Sequence, residues 1–374
     1  MFMLKRYTTL IFFSALVITF YACNSNTGSQ DNNDFDRVAM LDNYGTNVIV
    51  PAYDSLQQSV NTLSESASTF SETPTVENLE SLQQQLKNAR LAWQTASIFQ
   101  FGPAEMQTLR ASLNTYPTDT TQINDNIRSG SYTLGTIENQ DAIGFPATGF
   151  LLHGIADSDE EILVYYTADA NADSRMTYLL ENISYMKEKV DAVTNEWASS
   201  GGNYISTFAS EENAGTDVGS SLGMLVNAMV LHYERFLRDG KIGIPSGVRS
   251  AGVARPKATE AYYAGYSLEL AIANSRAMRR LFLGTALNGD NGIGIDENLE
   301  ALGASDLADQ IDSEFNNSIS TLQGLSDPLS NQIETNKDSV TSAFQELQQL
   351  VPLLKADMSS IMGITITFQD NDGD

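Results

Sequence analysis

The sequence predicts an all-α protein of two fused antiparallel helical bundles, one in each half, with little or no strand. Three observations lead there. Apolar residues recur at intervals of three and four over several long stretches, the spacing of a single buried helix face. Gly, Pro and small polar residues gather between those stretches, where bundles need only short connectors. Polar–apolar alternation, the mark of a half-buried strand, is evident only in the short tail at residues 364–368.

The first residues read as a leader. Lys5 and Arg6 precede an apolar run from Leu10 to Tyr21, which is too short and too early for a membrane span, so residues 1–22 are expected to be an export signal. Cys23, the only cysteine, follows directly and sits at the acceptor position of a bacterial lipoprotein signal. It is the expected lipidation site, and more than one acyl chain there would anchor the protein stably. A lone cysteine excludes a disulfide framework and a thiolate metal centre. The rest of the 23–34 stretch is polar throughout and is expected to be a flexible tether.

The chain carries 21 basic and 47 acidic residues, a net charge of -26. Losing Lys5 and Arg6 with the leader would leave 19 basic against 47 acidic, or -28. That balance argues against a nucleic-acid partner and against charge-driven binding to an anionic bilayer, and suits an exported body with a solvated acidic surface. The roughly 350 residues beyond the leader exceed what one core usually covers, so two domains are expected, 35–200 and 201–374.

The elements follow in order. Val38, Leu41, Val48, Tyr53, Leu56 and Val60 predict a first helix bent at Pro51. Pro74 and Thr75 open a second, whose stripe runs Leu79, Leu82, Leu86, Ala89, Trp93 and Ala96 until Gly102 and Pro103 end it. Short helices and loops are expected over 103–133. An apolar, Gly-punctuated stretch at 144–154 comes next, then a polar break at 157–160. Asp173 is placed as the cap of a long helix marked by Leu179, Ile183, Met186, Val190, Val193 and Trp197, which the Ser and Gly residues at 199–202 stop. In the second half, Leu222, Val226, Met229, Tyr233 and Leu237 mark a helix ending near Gly240, with an irregular connector over 241–247. A helix over 258–284, one through Leu307, Ile311, Phe315 and Leu322, and one from Val340 to Leu354 kinked at Pro352 complete the set.

Several segments, in this order and spacing, resemble the imelysin-like family (the peptidase M75 group). They are Asn47 to Tyr53, Ala92-Trp93 leading to Phe101-Gly102-Pro103, and His232-Tyr233-Glu234 running into Lys241 to Pro245. Glu260 to Ser267 ahead of Asn274, and the tail from Asp357 to Asp374, belong with them. The central stretch Gly144, Phe145, Pro146, Ala147, Thr148, Gly149 matches the family's Gly-Phe-His-x-x-Glu motif, with Pro146 at the His position and Gly149 at the Glu position. The resemblance implies two fused helical bundles, often exported and lipid-anchored, in a family named for a peptidase and implicated in iron uptake. It also implies that Glu260 and Ser267 pack near the motif, at the interface between bundles.

Physically, His and Glu three apart lie on one helix face and can share a metal, and a site needs about three such ligands. Pro146 and Gly149 offer no donor, so this is a divergent member without the pair. Iron or another divalent cation stays in view as cofactor, with His153, one turn beyond Gly149, as the only candidate ligand nearby. The competing view makes His153 a satisfied or surface histidine. His232 and Glu234, two apart, point away from each other on a helix, and no His-Glu-x-x-His run exists. Asp290, Asp296 and Glu297 do not match a calcium-loop ladder and suit a capped turn better. Phosphate-cradling glycine loops are missing. For Glu260 two readings stand, a charge at a helix start worth ~0.3–1 kcal/mol or a binding role.

The expectation is therefore a cell-envelope lipoprotein, placed at the outer membrane, with a binding or uptake role for which iron acquisition is the candidate process. Its partners would be the membrane, through the anchor, and envelope uptake proteins. The expected site is a groove between the bundles built from Gly144, Phe145, Pro146, Gly149, His153, Glu260, Ser267 and Asn274. A metallopeptidase is the alternative, weakened by Pro146 and Gly149, and a scaffold or accessory lipoprotein is the third reading.

Overall fold

The computed structural model describes residues 35–368. The expected export signal, the Cys23 anchor, the tether and the acidic end from Asp370 therefore lie outside the described residues. Among those described there is no strand.

Helix α1 covers residues 37–72 as Arg37–Asn43, a π-helical turn Tyr44–Ile49, and Val50–Glu72. Pro51 has no N–H to give and its ring crowds the preceding turn. The wider π turn just ahead absorbs both problems, with the Val50 N–H donating to the Gly45 carbonyl, so the helix continues where a bend was expected. Helix α2, Val76–Ala96, opens on Thr75, whose hydroxyl accepts from the Asn78 N–H at 3.3 Å. Its stripe from Leu79 to Ala96 is buried. Helix α3 is Gly144–His153 and α4 is Ala172–Trp197. Asn171, not Asp173, precedes the first turn of α4. The polar run at 157–160 starts a helix of its own, Asp159–Thr167, because Ser158 caps it and three acidic residues complement its positive end.

In the second half, α5 runs from Ser221–Leu231 through a π-helical stretch, His232–Gly243, and a last turn, Ile244–Ser246. The connector expected at 241–247 is thus helical up to the left-handed Gly247. The widened turns bury Tyr233, Leu237 and Ile242 together, which a regular period would not allow. Helix α6, Ser267–Phe282, begins later than position 258. The Asp327 carboxylate sets that start by accepting from the N–H groups of Leu268 at 2.8 Å and Glu269 at 3.0 Å. Residues 259–266 are left as turns, and Glu260 stands ahead of the helix, not on it. Helix α7 is Ser305–Gln323, and α8 joins Lys337–Pro352 to a π turn, Leu353–Met358, that follows Pro352. Residues 364–368 are extended without pairing as a strand: Asn227 donates to the Thr365 carbonyl at 3.0 Å and accepts from the Thr367 N–H at 2.8 Å.

Helix α1 packs on α2 and α4, while α5, α6, α7 and α8 pack on one another. Helix α2 also lies against α6, and one continuous apolar core runs through both groups. Contacts place the described residues, 35–368, in one compact unit, so residue 200 marks a change of helix group inside a shared core. No described helix is long and apolar enough to cross a membrane.

Candidate functional site

Where α2 meets α6, the apolar stripe of α2 carries two polar residues. Arg90 and Gln94 follow Leu86 at steps of four, which turns them inward, and each is 1 % exposed. Gln94 donates to Glu260 at 3.1 Å, Asn114 donates to the same carboxylate oxygen at 2.8 Å, and the Lys241 ammonium donates to the other. The Ser267 hydroxyl donates to the Glu260 carbonyl. Burial alone raises the Glu260 carboxyl; the Lys241 charge and these hydrogen bonds outweigh it and hold the group below its ordinary value. Lys241 is pulled down by burial despite Glu260, and Arg110 and Arg90 add to the effect.

His232 belongs to the same network. Arg110 donates to its Nδ1 at 3.0 Å, so its Nε2 carries the hydrogen and donates to Asn274 Oδ1 at 2.9 Å. Asn274 in turn donates to the Gln94 carbonyl at 2.6 Å. Burial, reinforced by Arg110, holds His232 well below its ordinary value, so the ring is neutral. Arg110 also donates to the Ser97 carbonyl at 2.6 Å and stacks 3.4 Å from the Phe236 ring centre. Burial lowers Arg110 to about 9, which leaves it charged at neutral pH.

Helix α3 closes the junction. Gly144 opens it at φ +76, a left-handed conformation that favours glycine, and its N–H donates to Asn182 on α4 at 2.8 Å. Pro146 sits comfortably in the first turn, where its missing N–H costs nothing. Gly149 is the decisive position: a Cβ there would lie 2.4 Å from Nη2 of Arg90. The guanidinium therefore occupies the space into which any side chain at 149 would extend. It donates to the Phe145 carbonyl and lies 5.8 Å from the Tyr266 ring centre.

The chain matches the Imelysin family model (peptidase M75) over residues 49–356, and it belongs to that family. Two solved structures share the fold. One is a putative iron-regulated protein A precursor from Parabacteroides distasonis, 17 % identical, with TM-score 0.70 over 90 % of this chain and 97 % of that one. The other is an imelysin-like protein from Psychrobacter arcticus, 17 % identical, with TM-score 0.68 over 90 % and 99 %. An iron-regulated protein A from Synechococcus elongatus is 33 % identical over 72 residues, which is 19 % of this chain and 20 % of that protein.

Of the expected site residues, the fold brings Phe145, Gly149, Glu260, Ser267 and Asn274 into one region through Arg90 and Gln94. They form a filled polar core. Gly144, Phe145, Pro146, Gly149, Glu260, Ser267 and Asn274 are all buried, and only Pro146 and Gly149 line a cavity beside it. Glu260 is not a helix-start charge; it is the hub of the network. His153 is half-buried, and its Nε2 is closed off without a partner among the described residues. Burial and Arg90, partly offset by Asp159, lower it to about 4. The residues sequence reasoning passed over are Arg90, Gln94, Arg110, Asn114 and Lys241, together with the dismissed His232. The available signal was Arg90 and Gln94 interrupting an apolar stripe. A metal does not fit here, because a guanidinium stands where ligand oxygens would be needed and His232 has both nitrogens engaged. Among the described residues no three His, Cys, Asp or Glu side chains gather closely enough to hold one.

Proposed function

We propose that this chain is an exported, lipid-anchored cell-envelope protein with an iron-related binding or uptake role, in which the junction between its two helix groups takes a ligand other than a bare metal ion. Membership of the Imelysin family, with a relative named as iron-regulated, supports the iron-related part. The observation that carries the site is the buried network of Glu260, Lys241, Gln94, Asn274, His232 and Arg110 between α2, α5 and α6. Burying so many polar groups is costly unless each is matched, which is a reason to expect more than packing from them. The lipid-anchored part rests on the leader and Cys23 alone.

Deleting the gene and growing cells under iron limitation tests the role; slower growth and lower cell iron are expected, and unchanged values for both would count against it. Cys23→Ala should move the protein from the membrane to the soluble fraction, and retention in the membrane would overturn the anchor.

A further inference from the structure

Next to the polar core lies a cavity of about 140 Å³ whose walls include Arg90, Pro146, Gly149, Lys257, Tyr262 and Tyr263. At roughly 30 Å³ per water it has room for on the order of four or five waters, the scale of a small oxyanion. Among the described residues no Asp or Glu lines it, in a chain with 47 acidic residues. Arg90 is 1 % exposed, and its Nε and Nη1, closed to a water-sized probe in this arrangement, find no acceptor among the described residues, so a ligand in the cavity reaches them only when the guanidinium turns toward it. An unpaired buried charge of this kind is expensive, and native structures almost always answer it. The neighbourhood does not supply the answer. Arg90 and Arg110 both sit close enough to act on Lys241, and Glu260 is already bound to Lys241. Glu269, near the same Tyr266 ring as Arg90, is paired with Lys87 at 2.6 Å. With Gly at 149, no side chain from that position meets the guanidinium.

The geometry points to an oxyanion site: a carboxylate or phosphate group enters this cavity, binds Arg90, and is met at the mouth by the exposed Lys257. Guanidinium groups hold both kinds of oxyanion through paired N–H bonds. The inference specifies the ligand chemistry of the junction proposed above, and it is tested without iron, so either idea can fail alone.

Binding to the purified full chain is measured by calorimetry and thermal unfolding with inorganic phosphate and with acetate, against chloride at matched ionic strength. Saturable stabilisation by phosphate, acetate or both is expected, and the responding anion names the source. Lys257→Met, at an exposed position, should weaken binding roughly three- to tenfold. Gly149→Glu forces the Arg90 guanidinium to give way and supplies it with an internal carboxylate, so it should abolish the response where circular dichroism shows the fold retained. If neither anion stabilises beyond chloride, or if Lys257→Met binds like the parent chain, the site is overturned. Should Gly149→Glu fail to fold, the Lys257 result alone decides.

Discussion

Replacing Glu260 with Leu should be among the most damaging single changes in the protein. The carboxylate is 1 % exposed and accepts from Lys241, from Asn114 at 2.8 Å and from Gln94 at 3.1 Å. Its removal strands the Lys241 ammonium, itself 5 % exposed, beside Arg110 and Arg90. Breaking a buried ion pair from one side costs about 3–5 kcal/mol, whereas replacing both partners with apolar groups is often close to neutral. The pair Glu260→Leu and Lys241→Met should therefore recover most of that loss, with some deficit from the orphaned Asn114 and Gln94 donors, about 1 kcal/mol each. Urea unfolding of the two single variants and the double variant measures the coupling directly. The wild-type profile adds a pH signature. The folded carboxyl lies below its ordinary 4.5, so the pairing contributes fully above that value and is lost as pH falls through the folded one. Glu260→Leu should flatten the acid limb below about 4.5. A loss under about 1 kcal/mol, or a double variant as unstable as the two single losses added, would refute the account of Glu260 as the counter-charge of the junction.

Three further outcomes are expected. His153, lowered from 6.5 to about 4, remains neutral in the fold while the unfolded chain takes up a proton, so stability falls as pH drops across that window. His153→Leu should remove an acid loss on the order of 3 kcal/mol, and an unchanged slope in denaturant titrations between those pH values would contradict it. Asp327→Ala frees the Leu268 and Glu269 N–H groups at the start of α6 and should cost about 1–2 kcal/mol, with faster amide exchange in its first turn. Asp296 is raised to about 8 by burial and by Glu297, so stability declines as pH rises from 3.8 through 8. Asp296→Asn should flatten that decline and give the higher melting temperature at the alkaline end.

What the sequence determined by itself was the helical framework. Leu79 to Trp93 and Leu179 to Trp197 repeat at threes and fours, and a helix with such a stripe has one face to bury whatever it meets. The motif at 144–149 was also legible, both as a family mark and as a pair of missing ligands. Local signals failed where a distant group overruled them. Helix α6 starts at Ser267 because Asp327 caps it from sixty positions away or nearly so, and α5 passes Gly240 because its widened turns bury Leu237 and Ile242. The polar junction was decided by tertiary structure alone. Glu260, Gln94 and Asn114 come from separate segments and meet Lys241 and His232 of α5, and no spacing along the chain records that they share one low-dielectric space. The absence at Gly149 acquired its meaning in the same way: only the packing of α2 against α3 puts a guanidinium into the space a side chain would have used.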